Sequence, residues 1–437
     1  MMIKKYMAFI LTAAVTVSVM AGCSGTPTEK KEGAAASEAQ KTEKKELVFW
    51  IRGSENENIS KVLSEDVDLY NQKQDGLSNV TVEFIPYADF ITKYNAAFAG
   101  GTAPDIIDTG EIALRVNLNQ HEPLDDYIAQ WEDKDEVADY LDAGYMEGKT
   151  YGVLFSPSTY LFFWRKDYFK EAGLDPESPP KDWEEMMEYA KLLTIKDGDN
   201  VVRGGFSVDV TSNQAPMLFT VLARQAGSHL YDDTTGAPAF NDKGGVEALQ
   251  YILDIAPYSK LHTPAPGANE PVPFIAGTAA MGYVTTETIS TMLTNDPSMK
   301  EKIGVAAYVP KAGGTDITWC GYRLYAISAG SKYKDEAWDF IEYSMSEERM
   351  RAKMETADVV PVRTGLQKEF ESMDEFMHPA MVKAVSVGEC YPKKEWASSY
   401  NGIALRDAQQ EALYGQKSVQ EALDDAVDRI KQDYNLK

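Results

Sequence analysis

The chain has 437 residues with 43 Lys and Arg against 68 Asp and Glu, a formal charge of −25, together with 24 Tyr and 7 Trp. That length is enough for two domains with substantial cores. The acidic balance is spread along the chain and makes nucleic acid a poor partner, because phosphate binding needs a cationic surface. Four scattered histidines (His121, His229, His262, His378), no CxxC and no Cys/His cluster leave no zinc motif, so neither a metal nor a cofactor is expected.

The first element is an apolar run. Lys4 and Lys5 precede an uncharged stretch from Tyr6 to Met20. It is too short for a membrane span but suits the apolar core of a secretory signal. Met20-Ala21-Gly22-Cys23 resembles the bacterial lipobox, with Met where Leu is usual. That resemblance implies a signal peptide over 1–22 and a Cys23 that carries fatty acyl chains such as palmitate, anchoring the protein outside the membrane. Residues 23–45 have almost no large apolar side chain and read as a flexible tether. Cys320 and Cys390 then remain in the folded part. Joined, they would form one disulfide of an exported protein; apart, two buried thiols. The sequence leaves both open.

Beyond the tether the pattern is regular. "ELVFWI" (46–51) and "VTVEFI" (80–85) read as strands, "NISKVLSEDVDLYNQ" and "DFITKYNAAFAG" as helices, and "PDIIDTG" (104–110) as a third strand. Strand–helix alternation with short connections argues for a parallel sheet covered by helices. In such a sheet the ligand crevice lies outside the strands' carboxyl ends, which selects Ser54 and Glu55, then Asp108, Thr109 and Glu111. Further on, Asp182 and Glu185 have capping-box spacing, and Trp183, Met186, Met187, Ala190 and Leu193 share one helical face, which makes Trp183 a core residue. The last helix repeats the device with Ser418 and Glu421. "KDGDN" (196–200) has the start of a calcium loop without its later glycine and glutamate, and is read as a turn.

Several stretches together carry a resemblance. "GKTYGVLFSPSTYLFFWRKDYFKEAGLDPESPPKDWEEMMEYAKLLT" (148–194), "GGTAPDIIDTG", "FIAGTAAMGY" (274–283), "GYRLYAISAGSKYKDEAWDFIEYSMSEE" (321–348), "VVPVRT" and "GQKSVQEALDDAVDRI" occur in the order seen in extracellular solute-binding proteins of carbohydrate ABC importers, of the maltose-binding-protein-like type. The resemblance covers nearly all of the chain from Leu47. It implies a periplasmic-binding-protein-like α/β fold: two lobes, a hinge of several crossovers, and a ligand cleft between. The crossovers are expected near 156, 319 and 375, giving an N-lobe of 46–156 with 320–375 and a C-lobe of 157–319 with 376–437.

The same resemblance implies a non-enzymatic, monomeric receptor that hands a small molecule, here an oligosaccharide, to the membrane subunits of an ABC permease. Sugars are held by carboxylates, amides and Arg on their hydroxyls and by aromatic rings under the pyranose face. Glu55, Asp108 and Glu111 are the expected hydrogen-bonding groups of the N-lobe. Ser158 and Tyr160 fall at the first crossover, and Tyr283 and Glu287 follow the Ala-Ala-Met strand. Trp319 is the expected stacking platform, with Tyr322 beside it and Trp396 and Arg363 as further candidates. Asp108-Thr109 and the position of Trp396 depart from the maltose-binding pattern and argue against maltodextrins specifically. A polyamine, glycerophosphodiester or peptide is the alternative on the same fold. A lipid-anchored hydrolase is the other alternative, although no nucleophile elbow, zinc signature or phosphate loop is present.

Overall fold

The structure, a computed structural model, describes residues 44–436 except 75, 111, 213 and 265–269. The expected signal peptide, the expected lipid anchor at Cys23, nearly all of the expected tether, and Glu111 therefore lie outside the described residues. Among these, no helix is long and apolar enough to cross a membrane.

One sheet of 11 strands runs through the molecule. Its first part is the parallel arrangement expected from the alternating pattern: β1 (Lys45–Arg52) lies between β2 (Ser78–Ile85) and β3 (Ile106–Thr109). The parallel rule stops there. β4 (Val153–Arg165) is a 13-residue strand. The sheet continues through β5 (Asn200–Asp209), β6 (Ser259–His262), β7 (Ala279–Thr285), β8 (Ile303–Ala306) and β9 (Thr318–Ile327). β9 runs antiparallel to β3, with Ala326 opposite Ile107, and antiparallel to β4, with Gly321 opposite Ser158. β4 in turn pairs antiparallel with β7 and β8, whereas β5 is parallel to both β7 and β6. The reason is long-range. β9 returns from the second half of the molecule to complete the first half's sheet, so it enters from the opposite end.

Two hydrophobic cores flank this strand pair. The first gathers Phe49, Phe155, Tyr325, Phe340 and Ile341; the second gathers Phe162, Trp183, Phe219, Trp396 and Tyr400. β4 serves both through its pleat: Leu161 and Phe163 face the first core, while Tyr160, Phe162 and Trp164 face the second. The helix Met377, Met381 and Ala384 belong to packs on the first core.

The local signals act as their chemistry requires. The Asp182 carboxylate accepts from Glu185 N–H at 2.9 Å, but the Glu185 carboxylate reaches back to Lys181 N–H, one residue beyond the N-cap, so the box does not close. Ser418 and Glu421 do close the reciprocal box on the final helix, whose Val419, Leu423, Ala426, Val427 and Ile430 are buried. Trp183 is 6% exposed and donates its indole N–H to Gln225 at 2.7 Å, so it is core.

Candidate ligand cleft

The carboxyl ends of β1 and β3 form a charged wall. Asp108 is fully buried and accepts from Arg52 through its backbone N–H (3.0 Å), Nε (3.2 Å) and Nη2 (3.1 Å). Its other partner is Arg323 on β9, whose Nη2 also donates to the Arg52 carbonyl at 2.9 Å. Burial alone would raise this carboxyl, but the Arg323 and Arg52 guanidiniums outweigh it and hold Asp108 below its ordinary value. Arg323 Nη1 donates to the Tyr87 hydroxyl at 3.2 Å, and Glu57 lies 3.9 Å away. Two cations thus face two carboxylates. The wall closes so tightly that a Cβ on Gly110 would stand 2.8 Å from both Arg52 Nη1 and the Tyr322 carbonyl. Only glycine permits that approach.

A row of rings starts on β4 and forms a second wall. Tyr160 stacks on Tyr283 with centroids 5.3 Å apart, and Trp319 meets Tyr160 edge-on at 6.4 Å. Tyr391 lies 5.6 Å from Trp319, and the row continues to Tyr400 at 6.0 Å. Two polar tips in the row have protein partners. The Tyr283 hydroxyl accepts from Val309 N–H at 2.9 Å, and Tyr400 shares a 2.9 Å hydrogen bond with Thr220. Two do not: Trp319 Nε1 and the Tyr391 hydroxyl are buried without a protein partner. Leaving such a group unpaired costs about 1–3 kcal/mol, so a polar ligand atom or water is expected at each.

Where Gly110 and Tyr322 of the charged wall meet Tyr391 of the ring row lies a cavity of about 70 Å³, lined also by Ile112, Cys390 and Asn401. Sites for small molecules usually have roughly 300–1,000 Å³, so a sugar ring enters only if the walls part. Polar contacts cross the gap at its rim: Lys393 to Asp142 at 2.8 Å and Asn117 to Glu395 at 3.2 Å. A larger, open depression on the last helix, lined by Asp428, Lys431, Gln432, Asn435 and Leu436, belongs to one helix and its tail, with no converging wall.

Of the residues singled out from the sequence, Tyr322 lines this cavity; Asp108 and Thr109 end β3 just before Gly110, Trp319 packs behind Tyr391 with Tyr160 and Tyr283 beyond it, and Ser158 is half-buried on β4 opposite Gly321. Their roles divide. Asp108 spends its acceptors on the two Arg side chains. Trp319 is 7% exposed, with Tyr160 and Tyr391 against it and its ring over Gly321, so Tyr391 occupies the cavity-facing position. Ser54, Glu55 and Glu287 are exposed; Ser54 N–H donates to Glu57 at 2.9 Å. Arg363 is buried elsewhere, donating to Asp133 at 2.9 Å and the Met345 carbonyl at 3.1 Å. Trp396 is 1% exposed and donates to the Gly236 carbonyl, so its faces pack the second core.

Sequence reasoning passed over Arg52, Arg323 and Tyr391. Arg52 ends β1 and was within reach of the carboxyl-end rule. Arg323 interrupts an apolar strand, a pattern that itself demands a buried partner. Asp209, at the carboxyl end of β5, follows from the same rule: Ser212 N–H donates to it at 3.0 Å, it sits in register with His262, and burial raises its carboxyl. Tyr391 carries no such signal.

The profile of the bacterial extracellular solute-binding protein family matches residues 66–380. The chain belongs to this family. Its members are binding proteins that work outside the cytoplasm. Among relatives, the arabinooligosaccharide-binding protein of Bacillus subtilis is 24% identical over 363 residues, covering 80% of this chain and 78% of its own. The sn-glycerol-3-phosphate-binding periplasmic protein UgpB of Escherichia coli is 33% identical over 106 residues, 22% of this chain and 24% of its own. Among solved structures, the GacH receptor of Streptomyces glaucescens superposes with a TM-score of 0.76 at 21% identity, covering 89% of this chain and 98% of that one. The sugar-binding protein MalE of Xanthomonas citri gives 0.75 at 24%, covering 89% and 96%. The fold is therefore the periplasmic-binding-protein-like one, with two α/β lobes and a cleft between them.

Proposed function

We propose that this protein is an extracytoplasmic receptor that captures a carbohydrate, an oligosaccharide in particular, and delivers it to an ABC importer while held to the membrane through acylated Cys23. The observation that carries the reading is the pair of unpartnered donors, Trp319 Nε1 and the Tyr391 hydroxyl, set in a row of rings beside the cavity. A sugar presents both complements: hydroxyl and ring oxygens for the donors, and an apolar face for the rings. The relatives that bind arabinooligosaccharides and acarbose support the same class. Ligand binding would replace the narrow cavity by a filled one and stabilise the closed lobes, the form a permease reads.

The stretch shared with UgpB raises an anionic ligand as the other reading, since Arg52 and Arg323 face the cleft. Their charge is already met by Asp108 and Glu57, which favours a neutral ligand.

A thermal-melting scan against mono- and oligosaccharides, polyamines and glycerophosphodiesters tests this. A ligand at a hundred times its dissociation constant adds about 2.7 kcal/mol of stability. A shift with one sugar class, abolished in Trp319→Ala, is the expected result. A shift with glycerophosphodiesters or polyamines alone overturns the carbohydrate reading. For the anchor, labelled palmitate is expected in the wild-type chain and absent from Cys23→Ala.

A further inference from the structure

β10 (Gly388–Glu389) runs parallel to the start of β9, with Thr318 opposite Gly388 and Trp319 opposite Glu389. One residue further along, the two chains carry Cys320 and Cys390. Neighbouring strands lie about 4.8 Å apart, within the roughly 4.4–6.8 Å that a disulfide spans between Cα atoms. The approach here is close: a Cβ on Gly388 would meet Cys320 Cβ at 2.4 Å and its Sγ at 3.5 Å. Tyr322, on the same face of β9 as Cys320, lines the cavity together with Cys390. Both cysteines are free thiols in this structure, Cys320 buried and Cys390 half-buried. They are 70 positions apart in the chain, and only the fold brings them together.

We propose that Cys320 and Cys390 form a dithiol pair that closes to a disulfide outside the cytoplasm and ties the Tyr391 wall of the cleft to β9. The step is thiol–disulfide exchange with an external disulfide, either glutathione disulfide or the active-site disulfide of an oxidoreductase. The Cys390 thiolate attacks one sulfur of that disulfide and releases the other as a thiol. The Cys320 thiolate then displaces the second from the mixed disulfide. Two protein thiols lose two protons and two electrons, and the oxidant is reduced to two thiols. Burial pushes both thiols up, Cys390 to about 11, and the Cys390 charge raises Cys320 further. Thiolate is thus scarce in the folded protein, so closure is fast while the exported chain folds and slow afterwards. The cross-link would restrain Tyr391, the residue next to Cys390. That consequence for binding rests on the proposed carbohydrate cleft; the bond itself does not.

The test uses the full chain, unfolded and refolded in glutathione buffers from fully reduced to fully oxidised, then alkylated with iodoacetamide and digested with trypsin without reductant. Peptides 312–323 and 384–393 are expected to appear joined, two hydrogens lighter than their sum, in the oxidised range. The oxidised protein is expected to melt several degrees above the reduced one, and the Cys320→Ser/Cys390→Ser double variant to ignore the buffer. Both peptides alkylated across the whole range, or each carrying glutathione in place of the other, would overturn the proposal. Peptide mapping of the wild type decides it even if the double variant fails to fold. A sugar-induced melting shift in both redox forms, with no cross-linked peptide, would sink the disulfide and leave the carbohydrate reading standing.

Discussion

The two walls of the cleft use polar chemistry in opposite ways. On the charged wall every charged side chain has a partner of opposite sign: Asp108 takes both Arg52 and Arg323, and Arg323 also reaches Tyr87 and the Arg52 carbonyl, while its Nε is buried without a partner. On the aromatic wall the rings are packed but two donors, Trp319 Nε1 and the Tyr391 hydroxyl, point at no protein acceptor. A network whose charges are paired within the protein holds shape, whereas packed rings with free donors are ready to hold something else. The lesson is that the strongest charges in a cleft need not be the groups that read the ligand.

The sharpest way to break this contrast is to remove the centre of the charged wall. Asp108→Ala leaves the buried Arg323 and the half-buried Arg52 without their carboxylate and is expected to cost about 3–5 kcal/mol in denaturant unfolding. An affinity loss with unchanged stability would instead make Asp108 a ligand contact. The pH dependence follows the same logic. Asp108 is held below its ordinary value, so its contribution is present above the unfolded carboxyl value near 4 and is lost only as pH falls through the lower folded one.

Unpartnered atoms are not ligand sites everywhere, and His121 provides the control. It is 3% exposed, neither ring nitrogen has a partner, and it is not among the cavity's lining residues. Burial, with Arg115 beside it, lowers it to about 3. Unfolded, it binds a proton below about 6.5; folded, it does not until far lower. Stability should therefore fall by up to about 1.4 kcal/mol per pH unit on acidification from pH 6.5 toward 5, where Asp108 is still ionised. His121→Phe is expected to flatten that slope in parallel urea titrations. An unchanged slope would assign it to another group.

Smaller effects separate the two walls more finely. Tyr391→Phe removes one donor and little volume; it should weaken sugar binding by about 1 kcal/mol, roughly fivefold, with melting of the free protein unchanged or slightly raised. A fall in melting temperature with intact affinity would make Tyr391 a packing residue. Lys393→Ala breaks the rim contact to Asp142, which is largely exposed, and is expected to change stability by less than about 0.5 kcal/mol.

What was legible beforehand follows periodicity and local chemistry. The first three strands, the buried Trp183, the caps at Asp182 and Ser418 and the family itself all depend on residues close in sequence, where side-chain spacing and capping geometry act directly. The carboxyl-end rule reached Asp108 by the same route but not its role, since that depends on Arg323, 215 positions away. Trp319 is the expected platform from its polar and glycine neighbours, and Trp396 a candidate from the family resemblance. Burial under Tyr391 and against the second core is a property of three-dimensional packing, which local composition does not encode. The same holds for Tyr391 at the cavity, for the antiparallel entry of β9, and for the meeting of Cys320 with Cys390. Each needs the chain to return from far away. Local free energies choose helices and strands, while the partners of a buried ring, charge or thiol are chosen only when the long-range contacts close.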